Sequence, residues 1–383
     1  MRPGLKTGPY LHVAHLSRYT VTSMSLFPRS LTVAAALACV ALCSGCTGGA
    51  PSGGQSDSSV VREGQGGQIN GAGATFPNPL YSKWFAEYNR IRPDVRINYQ
   101  SLGSGAGIRQ LTSGTVFFGA SDQPVSDELL STAPGKLLHF PTVLGAVVPI
   151  YNLEGVPQPL KFTGPLLADI ILGRIRKWND PEIVKHNAGV ALPATDITFV
   201  HRSDGSGTTF ILADYLGKVS PEFKATVGVD AALNWPTGVG GKGNEGVTAL
   251  VRQTPGSLGY VELVYALQNK IAVGAVQNSS GAFVTPSIES VTAAAAAAAG
   301  HMPADFRVSI TNAGGAGAYP LSSFTWLLLY EEPRDKIQGR QMRDFLRWAL
   351  TDGQKLAPEL GYARLPQPIV EMELKTLEQL KVE

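Results

Sequence analysis

Three times in this chain an apolar, strand-like run stops in glycine and hydroxyl residues and passes at once into a helical pattern: GAGATFPNPL at 71–80, SLGSGAGIRQL at 101–111 and HRSDGSGTTF at 201–210. A chain that repeatedly turns from strand to helix in this way builds an α/β fold, with such turns gathered at the carboxyl ends of its strands. The first N–H groups of a helix have no helical partners, so hydroxyls and bare N–H groups placed there favour an anion. Glycine lets the backbone come close to it. One such junction could do no more than cap its helix. Three of them, with Arg202 as an available cation, describe an anion-binding site.

The rest of the chain keeps the rhythm. YSKWFAEYNRI reads as an amphipathic helix, VRINYQSLG as a strand running into glycines, GIRQLTSG as a short helix and VFFGASD as a strand ending at Asp122. VVPIYNL, DITFVHRSDGSG and SLGYVELVYAL continue the alternation. FTWLLLY and QMRDFLRWALTDGQKLAPEL close it as strand plus long helix, while the alanines at 293–299 favour helix and bring no chemistry. A length of 383 residues, 44% hydrophobic and 16% charged, supplies one large or two medium cores.

Residues 1–45 read as an address. From Met24, an alternative start, Arg29 precedes the apolar run LTVAAALACVAL and small residues ending in CSGC, the layout of a secretory signal. The run is too short to span a membrane. Cleavage before Cys46 would expose a cysteine, and Ser44 and Gly45 resemble the lipid-attachment site of bacterial lipoproteins, although Cys43 stands where leucine is usual. Simple secretion is the other reading. Residues 46–68, rich in Gly, Ser and Gln, read as a flexible tether. All three cysteines (Cys39, Cys43, Cys46) fall before the folded part, which therefore has no disulfide and no thiolate metal site. Of 32 Lys and Arg, four (Arg2, Lys6, Arg18, Arg29) precede Cys46 with no acid among them; the remaining 28 face 30 Asp and Glu. Nothing in that balance suggests nucleic acid.

Asp122 is the misfit in an anion site. It reads either as a turn or N-cap residue before SDELL, or as a group facing the ligand. In the second case it repels the anion unless the anion carries a proton to donate. Phosphate keeps a proton at neutral pH and sulfate does not, so a buried carboxylate acceptor would select phosphate.

A secreted serine hydrolase or phosphatase using Ser206 is the rival reading. Gly-x-Ser-x-Gly fails at both ends, because Asp204 and Thr208 hold the glycine positions. His201 reads as a strand residue rather than a general base. GVGGKGN is no Walker loop, since Gly243 follows Lys242 where Ser or Thr is required and Pro236 stands where the first Gly should be. It reads better as a glycine-rich loop near the interface between two lobes. No His/Asp/Glu cluster suggests a metal. The expectation is binding without catalysis and without a cofactor.

INGAGATFPNPLYSKW, NYQSLGSGAGIRQL, TVFFGASDQPVSD, HRSDGSGTTF, NWPTGVGGKGNEGV and GSLGYVEL, in this order, resemble the signature segments of the phosphate-binding protein of the Pst-type phosphate ABC transporter. The resemblance implies a class II periplasmic-binding-protein fold, two α/β lobes joined by a hinge with inorganic phosphate in the cleft. It implies lobe I over 69–145 and 315–383 and lobe II over 146–314. Thr75 and Phe76, the latter by its N–H, Ser104, Asp122, Arg202, Ser206, Gly207 and Thr208 would contact phosphate, and Asp204 would orient Arg202. Gly105 stands where a second serine is frequent, so an N–H would replace a hydroxyl there. Phe117 replaces a polar residue and is expected outside the site. The implied partners are the membrane permease and ATPase subunits of the importer, with the binding protein a monomer anchored to the outer face of the membrane through Cys46.

Overall fold

The strand Leu137–Tyr151 is buried along all 15 residues and organises the architecture. At about 3.3 Å per residue it runs about 50 Å, long enough to serve two sheets' worth of neighbours. The computed structural model describes residues 68–156 and 159–383. The signal sequence, Cys46 and all but the last residue of the 46–68 tether lie outside these. The strands are β1 Gln68–Gly73, β2 Arg96–Ser101, β3 Phe118–Ser121, β4 Leu137–Tyr151, β5 Lys161–Phe162, β6 Thr198–Arg202, β7 Val239–Gly241, β8 Ser257–Glu262, β9 Ala272–Val273, β10 Ala275–Gln277, β11 Phe283–Val284 and β12 Ser322–Tyr330.

The main sheet runs β2-β1-β3-β12-β4-β8-β6-β7, with β9 also beside β4, and β11-β10-β5 form a small second sheet. As far as Ala146, β4 pairs antiparallel with β12; from Val147 it pairs antiparallel with β8. On one side of this pivot β1, β2 and β3 are parallel, and on the other β6, β7 and β8 are parallel. Each parallel set sends helices from its carboxyl ends: Asn78–Ile91 after β1 and Ser104–Thr112 after β2, then Gly207–Val219 after β6 and Gly243–Gln253 after β7. This is the α/β fold expected from the junctions, in the two-lobed form that the resemblance implied.

The helix Asn78–Ile91 buries Leu80, Tyr81, Trp84, Phe85 and Tyr88, one stripe at helical spacing, and Trp84 Nε1 donates to the Gly353 carbonyl at 2.8 Å. Two segments differ from the sequence reading. The C-terminal run expected as one long helix stops at Leu350 and continues as the 3₁₀ turns Gly353–Leu356 and Pro358–Leu360, because Gly353 and Pro358 interrupt it. SLGYVELVYAL splits after Glu262, whose Oε2 caps the helix Leu263–Asn269 by accepting from the Val264 N–H at 2.8 Å.

Candidate functional site

The three junctions meet. Gly105 N–H donates to the Gly205 carbonyl at 3.0 Å, and Gly207 N–H donates to Ser104 Oγ at 3.0 Å, so the helix starts after β2 and β6 touch across the two halves. Thr75, Phe76, Ser104, Asp122, Arg202, Ser206 and Thr208 are all at most 3% exposed. Gly103, at φ +96°, lies where an added Cβ would run into the Asp204 carboxylate. Only glycine meets both conditions there.

Arg202 ends β6. Its Nε and Nη2 donate to Asp204 Oδ1 and Oδ2 at 2.8 and 2.5 Å, a bidentate pair, while the buried Nη1 has no hydrogen-bond partner among the described residues. Burial pushes the Asp204 carboxyl up, but Arg202 and the Gly243 N–H, 3.0 Å from Oδ1, outweigh it and hold it below the ordinary value. Asp204 therefore fixes the guanidinium as the sequence reading expected, and leaves its Nη1 edge for something else.

Asp122 follows β3 and does not cap the next helix, whose N-cap is Ser126. Its Oδ1 accepts from Thr325 Oγ1 at 2.7 Å. Burial pushes its carboxyl up to about 7, opposed by Thr325, Arg202 and Ser104. Thr325 reaches it at a register shift between β12 and β4, the kind of bulge that re-aims a side chain. Ser104 Oγ accepts from the Asp122 N–H at 3.2 Å as well as from Gly207. With both lone pairs occupied, its proton is left to donate.

Ser206 Oγ accepts from the Thr209 N–H at 3.1 Å and acts as the N-cap of its helix. His201 is a β6 residue, as expected: Nδ1 is 3.0 Å from the Arg202 carbonyl and its ring stacks on Trp235 at 5.1 Å. Among the described residues no His, Lys, Asp or Glu side chain hydrogen-bonds Ser206 Oγ. Gly105 departs from the expectation that its N–H faces the ligand, because the Gly205 carbonyl takes that N–H. Its bare Cα instead permits the approach, since a Cβ there would lie 3.3 Å from Gly205 Cα. Phe117 precedes β3, at the strand end away from Asp122, beside Gln68 and Tyr330.

Thr325, Asn244, Tyr265 and Tyr362 also reach this site and were not singled out from the sequence. Asn244 begins the helix after the glycine-rich loop and bonds Thr75 Oγ1 and Thr208 Oγ1 through Nδ2, at 2.7 and 3.3 Å. A polar residue inside otherwise apolar or glycine-rich runs, FTWLLLY and GGKGNEGV, was the available signal.

Helix starts from two sets of parallel strands, meeting around a buried arginine, place the chain among the two-lobed periplasmic-binding proteins. The family model described as a PBP superfamily domain matches residues 58–353. The chain is 50% identical over 79% of its length to the phosphate-binding protein PstS of Xylella fastidiosa strain Temecula1, covering 83% of that protein. It is 38% identical over 88% of its length to PstS of Methanocaldococcus jannaschii, covering 91% of it. Among solved structures, the phosphate-binding protein from Stenotrophomonas maltophilia shares the fold with a TM-score of 0.64 at 18% identity, covering 81% of this chain and 93% of that one. The chain belongs to the PstS family.

Proposed function

We propose that this protein captures inorganic phosphate between its two lobes and delivers it to the permease and ATPase subunits of an ABC-type phosphate importer. The observation that carries the reading is the buried Arg202 Nη1 without a partner, held by Asp204 beside an Asp122 that can accept a proton. Phosphate supplies both an oxygen for the first and an O–H for the second. Thr75, Phe76, Ser104 and Asp122 come from lobe I, 69–145 with 315–383, and Arg202, Ser206, Gly207 and Thr208 from lobe II, 146–314. The exchange of β12 for β8 between Ala146 and Val147 supports that division. The structure is closed, with Ser104 bonded to Gly207; an open form would separate these partners, and phosphate would favour closure because only the closed form surrounds it.

No chemistry is done to the ligand, since Ser206 is a helix cap without a base, and no cofactor is needed. Export by the 1–45 signal and lipid attachment at Cys46 would keep a monomer beside the importer. Among the described residues no helix is long and apolar enough to cross a membrane. Calorimetric titration of the purified exported protein, stripped of phosphate, tests the reading. One-to-one phosphate binding with no sulfate response is expected, and a folded, ligand-free sample that gives no phosphate heat refutes it.

A further inference from the structure

Three tyrosine hydroxyls converge on the junction after β1. Tyr99 donates to the Ala74 carbonyl at 2.7 Å, Tyr265 to the Thr75 carbonyl at 2.6 Å, with Glu245 Oε1 a second and longer acceptor at 3.0 Å, and Tyr362 to the Phe76 carbonyl at 2.6 Å. Tyr265 belongs to the helix after β8, on the far side of the β4 pivot. From the same side Asn244 donates to Thr75 Oγ1 twice, through its main-chain N–H at 3.3 Å and Nδ2 at 2.7 Å. Asn244 is fully buried and is fixed in turn by the Glu262 N–H, which donates to its Oδ1 at 3.1 Å.

We infer that Asn244 and Tyr265 are positioning residues for phosphate, acting through Thr75 and Phe76; the inference rests on the site proposed above. A threonine hydroxyl has two lone pairs and one proton. Asn244 occupies both lone pairs, so Thr75 can only donate, which is what an anion requires. The Thr75–Phe76 peptide is planar and trans, so a carbonyl held by Tyr265 turns the Phe76 N–H to the opposite edge, away from Tyr265. Both contacts run from lobe II to lobe I. Closing the cleft therefore completes the donor set of the first lobe as well as bringing up that of the second.

The test is stopped-flow phosphate binding to the exported protein and to Tyr265→Phe, Asn244→Ala and Arg202→Ala, with the melting temperature of each ligand-free sample. Tyr265→Phe should raise the dissociation rate about tenfold, the loss of one ordinary hydrogen bond, and Asn244→Ala, which loses its bonds to both Thr75 and Thr208, at least about tenfold, with the association rate unchanged in both. Asn244→Ala should cost less in a Thr75→Val background than in the wild type, the remainder passing through its bond to Thr208 Oγ1. If Arg202→Ala binds phosphate normally, the site itself is wrong. If Arg202→Ala weakens binding while Tyr265→Phe and Asn244→Ala release phosphate at the wild-type rate, the site stands and this inference falls. It falls equally if their losses in affinity merely follow lowered ligand-free melting temperatures with slower association.

Discussion

Replacing Asp122 by asparagine should stabilise the phosphate-free protein and blunt its choice of ligand. Burial raises the Asp122 carboxyl from 3.8 to about 7. Between those values the folded protein holds a proton that the unfolded chain has released, so stability falls as pH rises from about 4 to about 7 and then levels off. At 1.36 kcal/mol for each tenfold, the ionised carboxyl costs under about 1 kcal/mol at pH 4 and about 4 kcal/mol at pH 8. Asparagine carries no charge at any pH and keeps an oxygen for Thr325 Oγ1, now 2.7 Å from Asp122 Oδ1. Thermal unfolding of phosphate-free wild type and Asp122→Asn should therefore diverge with pH, by at most about 6 °C at pH 8 for a domain of this size, since opening of the empty cleft hydrates part of the carboxyl. A gap that stays flat from pH 4 to 8 would refute the claim that this carboxyl is buried when the cleft is empty. The same variant should bind sulfate at neutral pH, because an amide can donate where a carboxylate repels. Continued rejection of sulfate would place selectivity elsewhere.

Arg202→Ala removes charge-assisted bonds worth about 1.5–3 kcal/mol each and should weaken phosphate binding at least tenfold by calorimetry; near-normal affinity would sink its role. Gly207→Ala sets a Cβ 2.5 Å from Asp122 Cβ and 2.6 Å from Ser104 Oγ, so the lobes could no longer meet. Affinity should fall at least tenfold with the ligand-free melting temperature unchanged, and small-angle scattering at saturating phosphate should show a larger radius than wild type; wild-type affinity would contradict closure through this contact. Glu373 is fully buried, neither carboxyl oxygen has a partner, and burial holds its carboxyl well above the ordinary range. Glu373→Met should gain about 1–3 kcal/mol in denaturant unfolding at pH 8 and less at pH 4, where the wild-type carboxyl is already neutral; a loss at both would show that the acid has a partner in solution.

The junctions were legible in the sequence because they are local. Pro77, Ser104 and Ser206 sit within a residue of a helix start, and glycines mark where backbones approach, so strand-to-helix spacing located the junctions, while the contact residues within them came from the resemblance. Asp204 was legible for the same reason, two residues from the arginine it holds. Thr325 and Tyr362 were not, because they lie 203 and 286 residues along the chain from Asp122 and Phe76, the residues they bond. A threonine in an apolar strand and a tyrosine near a chain end carry no local mark of their target. The split after Glu262 was hidden too, since a run buried from Ser257 to Ala266 shows neither strand nor helix period.

The charges of the site do not add up to an attractive field. Arg202 is matched by Asp204, and Asp122 contributes up to one more negative charge as it ionises, so an anion must be held mainly by oriented dipoles: the hydroxyls of Thr75 and Ser104 and the starts of three helices. An unmatched arginine in a dry cleft would draw any small anion. A matched one supplies direction with little net field, and discrimination passes to Asp122, which once ionised tolerates only a ligand that brings a proton. The Asp204 carboxylate that tempers Arg202 also accepts from Gly243 and lies against Gly103 of the opposite lobe. The pair that neutralises the guanidinium lies within one lobe, so the matched charge is in place before closure, and closure adds the shape around it.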